Sequence, residues 1–207
     1  MTEQYKLPLC LATAEFVEKK SRFISHISPV SSEEDALAFL RSIREKHREA
    51  THNVYAYRIK YNNTCRYSDD GEPSGTAGTP LLEAFIRQDI YDFCCVATRY
   101  FGGILLGAGG LVRAYARCGS IALENSGIGL MRELTMCAIA MQYSYYENIK
   151  RLLYAESADN ITEDFGAEVI MRFSLPSDDV PAFEKKVVEL SAGKIGIVIE
   201  GKRMSSS

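Results

Sequence analysis

The feature that most constrains this chain is the pattern of a buried strand followed at once by glycines and a helix. Residues 93–97, Phe-Cys-Cys-Val-Ala, form a near-continuous apolar run that is typical of a strand covered on both faces. The run leads through a glycine-rich turn into residues 111–125, whose apolar positions recur with the period of an amphipathic helix. This succession predicts helices layered on a sheet.

The length of the chain and a change of pattern near residue 130 predict two domains. The 207 residues are 46% hydrophobic, which is enough to furnish two ordinary cores. A Gly/Ser-containing connection at residues 126–129 separates the halves, so we expect domains at 1–129 and 130–204. Six cysteines without a CxxC pair, and no long apolar run, indicate a cytoplasmic protein with no membrane partner.

The elements of the first half are expected to alternate between strands and helices. Ser31 and Glu34 have the spacing of a capping box, which predicts that a helix begins there and runs to about His47. Neighbouring Cys94 and Cys95 should point to opposite faces of their strand and be buried. The other segments are extended structure at residues 15–30, a strand at 52–61, a loop at 66–80 and a short helix at 81–88 after Thr79-Pro80.

The second half follows the order strand, helix, strand, strand, helix, strand. This βαββαβ order is that of the ferredoxin-like unit, in which two helices cover a four-stranded antiparallel sheet. Its elements are expected at residues 132–142, 145–156, 159–164, 167–175, 178–191 and 194–202, followed by a frayed tail at 205–207.

The net charge of −3 does not fit a general nucleic-acid binder, whose phosphate contacts normally leave a clear basic excess. Residues 132–203 hold nine Lys and Arg against twelve Asp and Glu, so a wholesale nucleic-acid surface is not expected there either. Any contact with nucleic acid must therefore be local.

Residues 93–123, which contain three arginines and no acidic residue, are the strongest candidate for such a local site. Unpaired backbone N–H groups and the positive end of the helix dipole favour an anion where a glycine-rich loop meets a helix. Arg113 and Arg117 lie one helical turn apart, so their guanidinium groups can hold phosphate or carboxylate oxygens together. The candidate anion-, RNA- or partner-binding residues are Arg99, Gly102, Gly103, Gly107, Gly109, Gly110, Arg113 and Arg117.

This segment carries neither of two familiar phosphate-binding motifs. The four-residue gap between Gly102 and Gly107 is that of a P-loop, but Ala108 and Gly109 stand where Lys and Ser or Thr are required. Val112 stands where the third glycine of the dinucleotide-binding fingerprint should be. The sequence therefore predicts an anion site without a known nucleotide loop.

An acidic loop within residues 66–80 leaves two alternatives open. Its candidate residues are Asp69, Asp70, Glu72, Ser74 and Thr76, with His52 and Tyr57 of the preceding strand as further motif residues. In one alternative the carboxylates pair with the arginines of residues 99–117, and the glycines serve only close packing. In the other the arginines bind a partner. The two are compatible, because an acidic loop can cover a basic site until a partner displaces it.

The sequence contains no evident catalytic or metal-binding assembly. Paired carboxylates can hold magnesium, and the hydroxyls of the acidic loop can act as nucleophiles. The chain has only three histidines, however, and none of them stands in a Ser/His/Asp, Cys/His or zinc arrangement. We therefore expect no catalytic residue, no metal and no cofactor.

Three long motifs follow one another along the chain. They are His52-Asn53-Val54-Tyr55-Ala56-Tyr57, then Ser68-Asp69-Asp70-Gly71-Glu72-Pro73-Ser74-Gly75-Thr76-Ala77-Gly78, and then Thr98-Arg99-Tyr100-Phe101-Gly102-Gly103 with Gly107-Ala108-Gly109-Gly110-Leu111. In this order they resemble the motifs of the YigZ/IMPACT family. The match covers about residues 15–125, the IMPACT N-terminal domain, and the rest is similar to the extra domain of bacterial YigZ-type members. The resemblance implies a two-domain α+β protein, a ribosomal-protein second-domain-like α/β sandwich followed by a ferredoxin-like domain.

The function that the resemblance implies is a binding role linked to translation. We expect a non-enzymatic protein that contacts RNA, the ribosome or a translation-related protein through residues 99–117. The alternative is an enzyme acting on a phosphorylated small molecule or nucleotide bound at Gly107–Gly110, with Asp69 or Asp70 holding a metal. The sequence does not determine the oligomeric state.

Overall fold

The computed structural model describes residues 4–206, which divide into two compact units. One unit spans Tyr5–Leu130, and the other continues from Met131. Each unit has hydrophobic clusters of its own, two in the first and one in the second. Within residues 4–206, no helix combines the length and the apolar character needed to cross a membrane.

The first unit is built on a five-stranded antiparallel sheet with β6 at its centre. The strand order is β2-β3-β6-β4-β5. The elements of this unit are β1 Tyr5–Pro8, β2 Ala12–Glu18, β3 Ser21–Pro29, α1 Glu33–Lys46, β4 His52–Ile59, β5 Thr64–Ser68, α2 Gly78–Ile86, β6 Phe93–Tyr100 and α3 Ala108–Ser126.

Both faces of this sheet are covered, as the apolar run in β6 predicts. Cys95 lies in a cluster with Phe85 of α2 and Tyr115 of α3 on one face. Its neighbour Cys94 lies on the other face, in a cluster with Leu40 of α1. The prediction that the two cysteines are buried on opposite faces is confirmed, because successive side chains of a strand alternate between faces.

The extended segment predicted at residues 15–30 is a hairpin of β2 and β3. Lys19 and Lys20 form its tight turn, with φ of 45° and 64°. A left-handed conformation is uncommon for residues other than glycine, asparagine and aspartate, so two lysines in such a turn carry backbone strain. The lysine turn of this hairpin is therefore strained and must be held in place by its surroundings.

Helix α1 is capped one residue later than the sequence predicted. Ser32, not Ser31, is the N-cap residue, and its Oγ accepts a hydrogen bond from the Asp35 N–H at 3.1 Å. The carboxylate of Asp35 in turn accepts from the backbone N–H and the hydroxyl of Ser31. Two consecutive serines followed by three acidic residues allow two registers of the capping box, and the one ending at Asp35 forms.

The acidic loop is shorter than the predicted 66–80 segment because structure forms at both of its ends. Thr64–Ser68 is the edge strand β5, which pairs with β4 and was not predicted. Helix α2 begins at Gly78 instead of Leu81, since the carboxylate of Asp69 accepts hydrogen bonds from the backbone N–H groups of Ala77 and Gly78. Helix α3 similarly begins at Ala108, earlier than predicted.

The second unit has the predicted βαββαβ order and the ferredoxin-like sheet. Its four antiparallel strands lie in the order β10-β7-β9-β8, and the alternate residues Cys137, Ile139 and Met141 of β7 belong to its hydrophobic cluster. The elements are β7 Ile128–Met141, α4 Tyr143–Ala155, β8 Asp159–Phe165, β9 Val169–Pro176, α5 Val180–Ser191 and β10 Val198–Ser206.

The last strand differs from the prediction at both ends. Left-handed Ala192 and Gly193 end α5 and turn the chain, so that β10 begins at Val198 instead of residue 194. The predicted frayed tail is wrong for Ser205 and Ser206, which pair with Arg132 and Met131 of β7. Residue 207 lies outside the described residues.

Candidate functional site

The glycine-rich loop connects the end of β6 at Tyr100 to the start of α3. Gly107 precedes the helix with φ of 74°, a conformation that glycine adopts without strain. No side chain caps α3, and the N–H groups of Ala108, Gly109 and Gly110 have no hydrogen-bond partner among the described residues. The helix start therefore offers three free donors at the positive end of a 19-residue helix.

The predicted arginine face is divided, because Arg99 is buried while Arg113 and Arg117 are exposed. Arg99 Nη1 donates to Glu72 Oε1 over 2.7 Å, and the two side chains are only 6% and 3% exposed. Its Nη2 lies 3.3 Å from Ser21 Oγ, and its Nε is buried without a hydrogen-bond partner. Arg99 therefore does not share an open surface with the other two arginines.

The carboxylate of Glu72 is the centre of a buried polar network. Tyr115 of α3 donates its hydroxyl to the same Oε1 over 2.7 Å. Burial, and then the negative charge of Glu72, raise the pKa of Tyr115 far above its usual value, so the phenol remains a donor. The other carboxylate oxygen, Oε2, lies 3.8 Å from His52 Nε2 and accepts no hydrogen bond from a described residue.

These groups line a cleft of about 390 Å³, which we call the His52 cleft. Each of the three sequence motifs contributes to it, with His52 from β4, Glu72 from the acidic loop and Arg99 from β6. The glycine-rich loop forms its rim. The remaining lining residues are Thr51, Gly71, Pro73, Phe101, Leu105, Leu106, Gly107, Ala108 and Leu111.

A second depression, of about 220 Å³, contains the two exposed arginines, and we call it the arginine groove. Arg113 Nη1 lies 3.6 Å from the position that a Cβ on Gly109 would occupy, so its guanidinium folds back toward the first turn of α3. The guanidinium of Arg117 lies 4.3 Å from the centre of the Phe16 ring. The lining residues are Phe16, Glu18, Lys19, Leu106, Gly110, Arg113, Ala114 and Arg117.

Lys19 lines this groove although the sequence did not indicate it, and Lys20 is its neighbour in the hairpin turn. A Cβ on Gly102 would lie 2.0 Å from the carbonyl carbon and oxygen of Lys20, so the hairpin turn rests directly on the glycine-rich loop. Gly102 is thus required for close approach, while Gly103 has open space around it and a φ of 83°. Two consecutive lysines between two segments of alternating apolar residues could have indicated this turn from the sequence.

The acidic loop does not pair with Arg113 or Arg117. The Asp69 carboxylate accepts hydrogen bonds from three backbone N–H groups, and the Asp70 carboxylate binds Arg44 and the backbone N–H of Asn53. The alternative in which the loop covers those two arginines is therefore not observed. Only the pairing of Glu72 with Arg99 agrees with it.

The residues of this loop that were candidates for metal binding or catalysis instead hold the loop in shape. The oxygens of Asp69 and Asp70 are occupied by protein donors, and within residues 4–206 no group of three or more His, Cys, Asp and Glu side chains could hold a metal ion. The hydroxyl of Thr76 donates to the carbonyl oxygen of Pro73, while Ser74 is exposed. These positions shape the loop.

Tyr57 lies away from both surfaces. It belongs to the hydrophobic cluster under α1, and its hydroxyl donates to Glu33 Oε1 over 2.5 Å. Burial, and then this hydrogen bond, raise the pKa of Tyr57 well above its usual value. The structure therefore does not bring Tyr57 together with the other candidate residues.

Two histidines that had no recognisable motif form a hydrogen-bonded chain on the sheet. Nε2 of His26 lies 2.9 Å from Nε2 of His47. Nδ1 of His26 lies 3.0 Å from the hydroxyl of Thr13, and Nδ1 of His47 lies 3.0 Å from that of Tyr100. Burial, and then the charges of His47 and Lys46, lower the pKa of His26 from 6.5 to about 4.

Comparison with protein families identifies both units. The model of the Impact N-terminal domain matches residues 19–123, and the model described as a domain of unknown function (DUF1949) matches residues 139–194. All the candidate residues from His52 to Arg117 lie within the first match. The second match lies within the ferredoxin-like unit.

Individual relatives match over most of the chain. IMPACT family member YvyE of Bacillus subtilis (strain 168) is 40% identical over 185 residues, 88% of this chain and 85% of that protein. IMPACT family member YigZ of Escherichia coli (strain K12) is 33% identical over 199 residues, 95% of this chain and 98% of that protein. A solved structure described as "Crystal structure of an hypothetical protein" has a TM-score of 0.61 at 33% identity, covering 96% of this chain and 98% of the other.

A eukaryotic relative matches about half of the chain. Protein IMPACT of Rattus norvegicus is 32% identical over 109 residues, which are 51% of this chain and 34% of that protein.

Proposed function

This chain belongs to the IMPACT family, and we propose that it is a non-enzymatic binding protein associated with translation whose arginine groove holds RNA phosphates. The link to translation comes from the family resemblance. The site comes from the charge and geometry around the start of α3.

The observation that carries the proposal is a pair of exposed arginines without an acidic partner beside a free helix start. Neither Arg113 nor Arg117 forms an ion pair within the described part of the chain. Arg113 folds toward Gly109, and Gly110, whose N–H is free, lines the same groove. Guanidinium groups and helix-terminal amides are the donors that phosphate oxygens prefer.

The balance of charge in the groove supports an anionic occupant. Lys19, Arg113 and Arg117 contribute three positive charges, against the single carboxylate of Glu18. Phe16 lies under the guanidinium of Arg117 and holds that side chain in place by a cation–π contact. The local positive charge is compatible with the overall charge of −3, because an RNA strand needs to touch only this surface.

The strained lysine turn is a second support. Left-handed Lys19 and Lys20 persist because the turn packs against Gly102, and Lys19 lines the groove. Backbone strain is retained where the surrounding structure over-determines it, often at binding sites.

The test is binding of labelled single-stranded RNA, measured by fluorescence polarisation at two salt concentrations, together with cosedimentation with ribosomes. We expect the variant Arg113→Glu/Arg117→Glu to lose binding in both assays. Arg117→Gln alone should weaken RNA binding and lower the salt slope by about 0.7, the value for one phosphate contact with a single strand.

Arg41→Glu/Arg48→Glu is the matched control, because it makes the same change of charge at two exposed arginines outside the groove. This control should bind like the wild type. If both double variants bind RNA as well as the wild type, the arginine groove is not the RNA-binding site. A pull-down could instead recover a protein whose binding persists after nuclease treatment and disappears with Arg113→Glu/Arg117→Glu. That result would show that the groove binds a protein and not RNA.

The domain division and the location are part of the proposal. Residues 1–129 and 130–204 would be separate domains, which is supported by the hydrophobic clusters on either side of Leu130. A chain of residues 5–130 should then unfold cooperatively in urea on its own. A cytoplasmic location agrees with six free cysteines, four of which are buried.

A further inference from the structure

We propose that the His52 cleft binds a free α-amino acid with an apolar side chain. This goes beyond the proposed function, since the cleft and the arginine groove have only Leu106 in common. Three parts of the cleft match the three parts of such a ligand: an acceptor pair for the ammonium, free donors for the carboxylate and an apolar wall for the side chain.

The acceptor pair consists of His52 Nε2 and Glu72 Oε2. Nδ1 of His52 lies 2.7 Å from the carbonyl oxygen of Asp70, and because a carbonyl only accepts, this nitrogen carries a proton; in the tautomer protonated only there, Nε2 has a free lone pair. Nε2 is then an acceptor, 3.8 Å from an Oε2 that accepts no hydrogen bond from a described residue. A ligand group with two or more hydrogens, such as an ammonium, can donate to both atoms at once.

The donors for a carboxylate lie at the start of α3 and on Arg99. Ala108 lines the cleft, and its N–H has no partner among the described residues. Arg99 also lines the cleft, with a side chain only 6% exposed and an Nε that has no hydrogen-bond partner. The positive charge of Arg99 and the positive end of the α3 dipole favour a carboxylate at this end of the cleft.

The apolar wall is formed by Phe101, Leu105, Leu106 and Leu111. Leu105 is 81% exposed and Phe101 is 46% exposed, so an apolar side chain bound there would cover surface that the protein leaves open. The guanidinium of Arg99 lies 5.5 Å from the centre of the Phe101 ring, which places the polar floor next to this wall.

The charge of the cleft selects a zwitterion over a phosphorylated ligand. Glu72 brings a buried negative charge into the cleft, and Arg99 is already paired with it. A nucleotide or sugar phosphate would set two or more negative charges beside that carboxylate. An amino acid adds one charge of each sign, with its ammonium at the acceptor pair and its carboxylate at the helix start.

The experiment is isothermal titration calorimetry and thermal unfolding of the full chain with millimolar L-leucine and L-phenylalanine. We expect both amino acids to bind and to raise the Tm by an amount that grows with the logarithm of the ligand concentration above Kd. Leucinamide lacks the carboxylate and 4-methylpentanoate lacks the ammonium, so each should bind at least about tenfold more weakly than leucine.

Two variants locate the site. Leu105→Asp changes an exposed wall residue and should lower the affinity for leucine at least about tenfold, whereas Leu11→Asp, at a residue that is 65% exposed and outside the cleft, should not. His52→Gln should lower the affinity by a similar factor, and Leu105→Asp decides the matter if His52→Gln does not fold.

Leucine binding that is lost in both analogues and in Leu105→Asp supports the proposal. Absence of binding by both amino acids, equal binding by either analogue, or full affinity in Leu105→Asp would overturn it. RNA binding by Leu105→Asp is measured in parallel, so that failure of the cleft and failure of the arginine groove are distinguished.

Discussion

Glu72 and Arg99, which are 27 positions apart in the sequence, form an ion pair of 2.7 Å whose side chains are both almost completely buried. Each charge of such a buried pair depends on the other, because either charge left alone in the interior is strongly unfavourable. The pair also joins the acidic loop to the central strand β6. It therefore fixes the floor of the His52 cleft.

Removing one charge of this pair should destabilise the protein strongly. We expect Glu72→Gln to lower the free energy of unfolding by about 3 to 5 kcal/mol, since Arg99 would keep a buried charge without a counter-ion. Urea unfolding followed by circular dichroism measures the change. The control is Glu83→Gln, which breaks an exposed ion pair with Arg87 of 2.9 Å and should cost about 0.5 kcal/mol or less. Similar losses in the two variants would contradict the structural role of the buried pair.

The contact between Gly102 and the lysine turn leads to a second prediction. Gly102→Ala should destabilise the protein by more than about 1 kcal/mol, because its Cβ would lie 2.0 Å from backbone atoms of Lys20, which cannot move without distorting the hairpin. Gly109→Ala is the control. Its Cβ would meet only the end of the Arg113 side chain, at 3.6 Å, and alanine favours a helix, so its stability should stay equal or rise slightly. Thermal unfolding of the two variants would reveal the difference, and equal Tm values would argue against the close approach.

The elements that the sequence predicted well are those whose side chains carry the pattern by themselves. β6 has buried residues from Phe93 to Arg99, and α3 has an apolar stripe with Arg113 and Arg117 exposed opposite to it, so both follow from periodicity. β5 has no such pattern, because this half-exposed edge strand depends on pairing with β4. The ferredoxin-like unit followed from the βαββαβ order of the predicted elements.

The candidate site was predictable only in its local parts. The placement of the glycines and of the two α3 arginines was predictable, because these residues are close to one another in the sequence, within one loop and one helix. The burial of Arg99 does not, because it depends on Glu72 from another motif and on Tyr115 from the next helix. Lys19 was missed for the same reason, since only the packing of the hairpin turn on Gly102 brings it to the groove.

The His26–His47 pair predicts a loss of stability in mild acid. The pKa of His26 is lowered from 6.5 to about 4 by burial and by the charges of His47 and Lys46, and the pKa of His47 is also lowered, chiefly by burial. The unfolded chain therefore binds more protons than the folded one between pH 6.5 and about 4, so stability is full above pH 6.5 and falls as the pH decreases through that window. The urea midpoint measured across these pH values should fall less steeply in His26→Gln. An unchanged slope would mean that this pair does not govern the acid response.

Asp69 should be the most sensitive position of the acidic loop apart from Glu72. Burial alone would raise the pKa of its carboxyl, but hydrogen bonds from the N–H groups of Gly75, Gly78 and Ala77 outweigh this and lower the pKa below 3.8. Asp69→Ala leaves these donors unsatisfied at the start of α2, and we expect a loss of about 1 to 3 kcal/mol in urea unfolding at neutral pH. Ser74→Ala, in the same loop at an exposed residue, should cost less than about 0.5 kcal/mol. The folded-state pKa of Asp69 is depressed, so its contribution to stability is present above pH 3.8 and is lost as the carboxyl protonates. Asp69→Ala and Ser74→Ala should therefore reach the same stability only in strong acid. A difference that persists after protonation would assign the effect of Asp69 to packing instead of to its negative charge.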